Sequence, residues 1–280
     1  MNRTGIFLLL AAAIAGTGLT ATAEAQKVKR TTLPNGIVII TKPVRTNGIV
    51  SVNVALRMGS LYERDEQAGL FTLMQNTVIK GTKTRSAEQI AEELESMGTK
   101  ISASADREYG TVSIQSTSAN FHPSLVVLFD ILRNASFPQE AVDLQKKIQT
   151  RNILTRRDQP LYRAVELMAE AQYGSHPFHK PLMGYPETVE KLTRDDLSSS
   201  YSAFYIPNNM IVVAVGNFDE KRLIEEISRE LGSMPAGHIP EPVQGGLPAH
   251  SAPVEKTESR ETAANWLTLG WFAPSITDPD

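Results

Sequence analysis

The stretch DEQAGLFTLMQNTVIKGT, residues 65–82, decides the fold class because its apolar residues recur at helical spacing. Acidic residues stand in what would be the first helical turn, and Gly81 is a good helix terminator. The pattern predicts a helix over residues 65–80. The side chains expected on its buried face are Leu70, Leu73, Met74 and Thr77.

Strand patterns lie on both sides of this helix. Residues 30–43 and 49–58 alternate apolar and polar side chains, and the turn dipeptide Asn35-Gly36 separates two extended segments. We predict that these two regions are antiparallel strands. Further strands are predicted over residues 101–115 and 210–216.

Six more segments have helical periodicity or helix-capping signals. Ser86 and Gln89 have the spacing of a capping box. Hairpin strands mixed with helices, without strict strand-helix-strand alternation, indicate an α+β domain with helices on one face of a largely antiparallel sheet. The predicted helices cover residues 86–97, 118–134, 138–157, 159–173, 193–204 and 220–231.

The composition is that of a globular chain, and it excludes several functions. The 280 residues are 41% hydrophobic and 21% charged, with a net charge of -3. No overall positive field exists to hold nucleic acid. The chain has no cysteine, which excludes disulfides, a thiol nucleophile and thiolate zinc sites. Any metal would need His, Asp or Glu ligands.

Residues 1–25 have the pattern of a secretory signal peptide. Arg3 precedes the uncharged apolar run of residues 6–19, and small residues at positions 23 and 25 stand where a signal peptidase cleaves. The alternative is a membrane anchor, but the run is shorter than the roughly 20 residues that a span needs. We therefore predict cleavage before Gln26 and an exported bacterial protein, periplasmic or secreted, with no stable membrane anchor.

Composition also divides the rest of the chain. Residues 26–234 are predicted to form one domain. Residues 235–261 contain five prolines and three glycines with little periodicity, which predicts a linker. A strand pattern over residues 265–272 follows, so residues 262–280 are interpreted as the first strand of an incomplete second domain. The alternative is that this strand docks on the first domain.

The segment GLFTLMQNTVIKGT, residues 69–82, resembles the signature of the pitrilysin/insulinase-like zinc peptidases, which include mitochondrial processing peptidases. In that family an inverted H-x-x-E-H motif lies on a helix that ends in K-G-T. Further landmarks follow in the family's order, and the resemblance runs from about residue 30 to the end of the chain. These landmarks are FP at 137–138, HPF at 176–178, LTRDDL at 192–197, YIPNNM at 205–210 and NFD at 217–219.

The resemblance implies a zinc motif that has lost its ligands. The family binds zinc through two histidines at i and i+4 and a distant glutamate, and a glutamate at i+3 is the base. Here Thr72 and Asn76 stand at the histidine positions, Gln75 at the base and Asn152 at the distant glutamate. Hydroxyl and amide groups supply no anionic or imidazole ligand, and Gln75 cannot take up a proton. We expect neither zinc nor another cofactor there.

Members of the family hold extended peptides against an exposed edge strand, and residues 100–106 resemble that strand. The candidate peptide-binding residues are Ile101, Ser102, Ala103 and Ser104. Pairing through the backbone needs no zinc. The alternative is a strand that only packs the core through Ile101.

The function implied by the resemblance is that of an exported, non-catalytic partner subunit of a zinc-bearing homologue, with both forming a chamber around an extended peptide. A stand-alone peptide-binding or structural module is one alternative, and a metallopeptidase with an unrecognised site is another. The family consists of zinc endopeptidases, but the replaced ligands predict that this chain is inactive by itself. A basic cluster is interpreted as a solvated helix face: Lys146, Lys147, Arg151, Arg156 and Arg157.

Overall fold

The computed structural model describes residues 28–249, 251–261 and 263–274. In these residues six strands form one sheet with the order β1-β2-β6-β3-β5-β4. In that sheet β2 and β6 are parallel, and all other neighbouring strands are antiparallel. The strands are β1 (Lys29–Thr32), β2 (Val38–Pro43), β3 (Ile49–Arg57), β4 (Lys100–Ala105), β5 (Tyr109–Thr117) and β6 (Met210–Gly216).

Six of the eight α-helices in the described residues begin and end within three residues of the predicted bounds, and the helix over residues 186–191 was not predicted. At the start of α2 the predicted capping box is confirmed, because Gln89 N donates to Ser86 Oγ at 3.3 Å and Ser86 N donates to Gln89 Oε1 at 2.8 Å. The helices are α1 (Leu70–Val78), α2 (Ala87–Ser96), α3 (Phe121–Asn134), α4 (Gln139–Arg157), α5 (Pro160–Tyr173), α6 (Pro186–Lys191), α7 (Arg194–Phe204) and α8 (Glu220–Leu231).

Alternation along the central strands decides which face of the sheet is buried. Val50, Val52 and Val54 on β3 have no exposed surface, whereas Ile211 and Val215 on the other face of β6 are 43% and 40% exposed. The helices therefore cover one face, and their apolar side chains complete a single core with the buried strand residues. The predicted α+β class is confirmed.

Helix α1 is shorter than the predicted helix over residues 65–80. Asp65–Gln67 forms a separate 3-10 turn, and Gly69 has a left-handed backbone with φ of 93°. A left-handed residue cannot continue a right-handed helix, so α1 begins only after it. A Cβ at position 69 would also lie 2.4 Å from the carbonyl oxygen of Met183.

One prediction about the strands was wrong, and the order of the strands in the sheet was not predicted. Residues 101–115 form a hairpin of β4 and β5 rather than one strand, because the chain turns where Asp106 N donates to Tyr109 O at 2.8 Å. Strands β2 and β3 run in opposite directions but are not neighbours, since β6 lies between them. Insertion of a strand from far along the chain leaves no local sequence signal.

The predicted strand over residues 265–272 is also wrong, because described residues 263–274 have no regular secondary structure. This segment lies along α5, where Thr268 Oγ1 donates to Ala164 O at 2.9 Å and the Phe272 and Tyr173 rings are 5.8 Å apart. A strand requires a hydrogen-bonded neighbour, and alternation alone does not supply one. The predicted linker is irregular over its described residues.

Some predictions concern residues outside the described ranges. These are the signal peptide at 1–25 and positions 262 and 275–280 of the second predicted domain. Among the described residues, no helix has the length and apolar character needed to cross a membrane.

Candidate functional site

A buried carboxylate holds the N-terminus of α1. The oxygens of Glu63 accept hydrogen bonds from Gly69 N at 3.0 Å and Phe71 N at 2.8 Å, and Glu63 has no exposed surface. Burial raises the pKa of Glu63 to about 7, although the two N–H groups and Lys180 act to lower it. Buried Lys180 donates to Glu63 O at 2.5 Å and to Asp65 Oδ1 at 3.1 Å. These bonds fix where α1 begins.

Gln75, at the base position of the motif, is fully buried between α1 and the β4–β5 hairpin. Its Nε2 donates to Ser104 O at 3.2 Å and to Thr111 O at 3.4 Å, and its Oε1 accepts a hydrogen bond from Tyr205 Oη at 2.5 Å. Burial raises the pKa of the Tyr205 phenol well above its ordinary value, so the phenol keeps its proton and donates. The Gln75 amide thus joins a helix, a hairpin and the residue after α7.

The other motif positions are arranged around α1 and α4, which pack against each other. Thr72 is partly buried, and its Oγ1 donates to Leu182 O at 2.6 Å. Asn76 is partly buried one turn later, and Asn152 is exposed on α4. Three residues before Asn152, buried Gln149 donates through Nε2 to Gly69 O at 3.0 Å and to Met183 O at 2.8 Å.

The side chains at the motif positions do not fit a zinc ion. Zinc in proteins takes imidazole, thiolate or carboxylate ligands, whereas these positions offer one hydroxyl and three amides. In the part of the chain that the structure describes, no group of three or more His, Cys, Asp or Glu side chains is placed to hold a metal. The buried carboxylate of Glu63 is already used by the N-terminus of α1.

Strand β4 forms one edge of the described sheet. The hydrogen bond between Asp106 and Tyr109 fixes which residue pairs of β4 and β5 are hydrogen-bonded, because such pairs alternate along an antiparallel ladder. Ser104 and Thr111 are therefore a hydrogen-bonded pair, and so are Ser102 and Ser113. Backbone groups of Ser102 and Ser104 therefore point toward β5. The backbone groups that point to the free edge belong to Ile101, Ala103 and Ala105. Ile101 also packs against the core, so the strand has both a core role and a free edge.

Sequence reasoning missed three residues of this region. Tyr205 belongs to the YIPNNM segment, but no pattern shows that its hydroxyl reaches Gln75. Glu63 precedes α1 by more than a turn and has no capping spacing, and Gln149 is one amide among several on α4. Tyr205 and Gln149 act through contacts between elements that are distant in sequence, whereas Glu63 accepts its hydrogen bonds from residues six and eight positions later.

Two family profiles match this chain. Residues 38–185 match the family described as Insulinase (Peptidase family M16), and residues 191–280 match the one described as Peptidase M16 inactive domain. The second match includes β6, a central strand of the sheet. The boundary between the two matches therefore lies inside one folded unit.

Relatives of known sequence or structure agree with these matches. An uncharacterized zinc protease of Rickettsia bellii is 28% identical over 205 residues, which are 73% of this chain and 50% of that protein. The chain thus spans about half the length of the curated relatives it matches. The structure of a protease from Helicobacter pylori superposes on this chain with a TM-score of 0.74 and 21% sequence identity. The match covers 80% of this chain and 55% of the protease chain. The structure of the periplasmic protease PqqL from Escherichia coli superposes with a TM-score of 0.72 and 22% sequence identity, and the match covers 80% of this chain and 26% of the PqqL chain.

Proposed function

Because this chain belongs to peptidase family M16, the insulinase or pitrilysin-like zinc peptidases, we propose that it is a non-catalytic member: an exported subunit that holds an extended peptide beside a zinc-bearing homologue. The observation that carries this proposal is the hydrogen bonding of Gln75. Both the donor and the acceptor atom of its amide are bonded inside the protein. A side chain in that state neither binds a water molecule nor takes up a proton.

Thr72 supports the same conclusion from the other end of the motif. Its hydroxyl is bonded to Leu182 O, so the first histidine position now serves the packing of α1 on the loop before α6. With neutral groups at all four motif positions, nothing offsets the cost of desolvating a zinc ion. Cleavage of a held peptide would therefore need a zinc site outside these motif positions, and we propose that a zinc-bearing homologue supplies it.

The peptide would be held at the free edge of β4. Ile101, Ala103 and Ala105 supply N–H and C=O groups in the regular spacing that a paired strand requires. The edge lies beside α1, because Gln75 is bonded to Ser104 O of this strand. A peptide on β4 would therefore pass close to the former zinc motif.

Export and the partner are parts of the proposal with different support. The signal-like pattern of residues 1–25 and the similarity to a protease that is itself periplasmic both favour export. The partner is supported by chemistry, because the motif positions lack the ligands and the base that peptide hydrolysis in this family needs.

The peptide-holding role is tested with purified residues 26–280 and a fluorescein-labelled unfolded peptide of about 20 residues. We expect a rise in anisotropy with the peptide intact by mass spectrometry. Ala103→Pro removes an N–H from the free edge, where proline is tolerated. It should weaken binding about fivefold or more, as the loss of one hydrogen bond of about 1 kcal/mol requires.

The matched control is Thr32→Pro, which makes the same change in β1 at the opposite edge of the sheet. Binding should be unchanged in this variant. An equal loss of peptide binding in both variants contradicts peptide capture at β4, and so does the absence of peptide binding by the parent chain. Chelator-sensitive cleavage by the parent chain contradicts the non-catalytic assignment.

The partner is tested by mixing the chain with a zinc-bearing homologue from the same source and separating the products by size-exclusion chromatography. A discrete complex that cleaves the peptide faster than the homologue alone supports the subunit role. Peptide binding without such a complex would instead favour a stand-alone peptide-binding module.

A further inference from the structure

The outer face of α4 is a long surface that the other described residues leave uncovered. Four side chains share one face of the helix because they are spaced by three, four and three residues: Leu144, Lys147, Arg151 and Leu154. All four are exposed, the leucines by 55% and 50%. The side chains that bury the opposite face are Val142, Gln149 and Ile153.

Positive charge collects on the same helix. Residues 144–157 contain five Lys and Arg residues and no Asp or Glu. The whole chain has a net charge of -3, so removing these five positive charges leaves -8 for the rest. Residues 144–157 are therefore a cationic strip on an otherwise acidic protein, which favours acidic partners, and the two carboxylates of the helix, Glu140 and Asp143, lie before this strip.

None of these five cations has a carboxylate partner among the described residues. Three contact neutral groups instead. Lys146 donates to two carbonyl oxygens, Arg156 lies 5.4 Å from the Tyr162 ring centre, and Arg157 lies 5.8 Å from that of Tyr185. Lys147 and Arg151, on the outer face, have neither kind of contact within the described ranges. On neighbouring α5, by contrast, Arg163 is paired with three glutamates.

We propose that the outer face of α4 docks an acidic amphipathic helix of another protein. The two leucines would receive apolar side chains, and Lys147 and Arg151 between them would pair with carboxylates. Intervals of three and four residues match the seam between two packed helices, whereas an extended strand repeats every two. At 1.5 Å per residue the stripe is about 15 Å long, which suits about three turns of a partner helix.

A membrane surface fits this face less well. Two cations separate the two leucines, so no continuous apolar strip is available to enter a bilayer. Carboxylates on a facing helix would compensate the unpaired charges, and such a contact would be salt-dependent.

The probe is an end-blocked synthetic helix of three heptads with leucine and glutamate along one seam. The comparison peptide has lysine in place of every glutamate. We expect the acidic peptide to bind by fluorescence anisotropy at about 50 mM salt and more weakly at about 300 mM, as screening requires. The lysine peptide should not bind.

The decisive variant is Lys147→Glu with Arg151→Glu, which should weaken binding about tenfold or more, as reversal of two contact charges predicts. Lys42→Glu with Arg45→Glu makes the same change in net charge at exposed positions elsewhere and should bind like the parent chain. Equal melting temperatures of all three proteins exclude unfolding as the cause. The neutral variant Lys147→Gln with Arg151→Gln should bind the acidic peptide with an affinity between those of the parent chain and the charge-reversed variant.

Three results would overturn the proposal. These are no binding of the acidic peptide at low salt, equal binding of the lysine peptide, and equal loss in the two charge-reversed variants. Capture by phosphatidylglycerol vesicles without binding of the acidic peptide would assign the face to a membrane instead. Extended-peptide binding at β4 is tested separately with Ala103→Pro, so the proposal for β4 and the proposal for α4 can be contradicted independently.

Discussion

Replacing Gln75 with glutamate exchanges an amide for a carboxyl group at the base position of the former zinc motif. In the folded protein the new oxygen would stand where Nε2 now lies, 3.2 Å from Ser104 O and 3.4 Å from Thr111 O. Two carbonyl oxygens repel a carboxylate, and the side chain has no exposed surface. The introduced carboxyl group would therefore be forced to bind a proton.

The cost at neutral pH follows from that protonation. Holding a carboxyl group of ordinary pKa protonated at pH 7 costs about 4 kcal/mol, and at pH 5 about 1 kcal/mol. The protonated group donates to only one of the two carbonyl oxygens, so about 1 kcal/mol of hydrogen bonding is also lost. Gln75→Glu should thus destabilise the fold by about 5 kcal/mol at pH 7 and about 2 kcal/mol at pH 5.

Urea unfolding followed by circular dichroism at the two pH values measures this difference. Asn152→Asp is the matched control, since it makes the same amide-to-carboxylate exchange at an exposed motif position and should alter the free energy of unfolding by less than about 0.5 kcal/mol. A loss below about 1 kcal/mol for Gln75→Glu at pH 7 would refute the reasoning, because position 75 would then accept a charged base.

Three other predictions test the surroundings of the site and the end of the described chain. Folding raises the pKa of Glu63 from 4.5 to about 7, so between these pH values the folded state binds a proton that the unfolded state has released. The free energy of unfolding should therefore fall by about 3 kcal/mol as the pH rises from 4.5 to about 7. Glu63→Gln should remove this pH dependence, and an unchanged pH dependence would assign it to other groups. Tyr205→Phe leaves the buried Oε1 of Gln75 without its donor and should cost about 1–3 kcal/mol in urea unfolding, whereas a cost near zero would mean that this hydrogen bond contributes nothing. Leu267 and Trp271 are 83% and 76% exposed, so Leu267→Ser with Trp271→Ser should reduce light scattering at equal concentration without changing the melting temperature; equal scattering would show that these side chains do not cause association.

Local patterns predicted most of the elements but not how they meet. The capping box at Ser86, the alternation along β3 and the apolar strand β6 depend on neighbouring residues, and the structure has them as predicted. The position of β6 between β2 and β3 depends on packing across the whole domain. The hairpin turn at Asp106 was missed because alternation continues on both sides of it.

The candidate site was predictable to a similar extent. The sequence shows that Gln75 and Thr72 are neutral, which is enough to argue against zinc chemistry. That Gln75 is bonded to Tyr205 and to the hairpin required the three-dimensional structure, because these residues are far apart in the chain. The unpaired charges on α4 are likewise visible only when the surrounding carboxylates are placed.

The zinc content of purified residues 26–280 tests the central claim most directly. The chain is produced with added zinc, dialysed against metal-free buffer and analysed by mass spectrometry for metal per chain. Neutral groups at Thr72, Gln75, Asn76 and Asn152 predict well under about 0.1 zinc per chain and no chelator-sensitive cleavage of an unfolded peptide. One tightly held zinc per chain, together with cleavage that a chelator stops, would contradict the account.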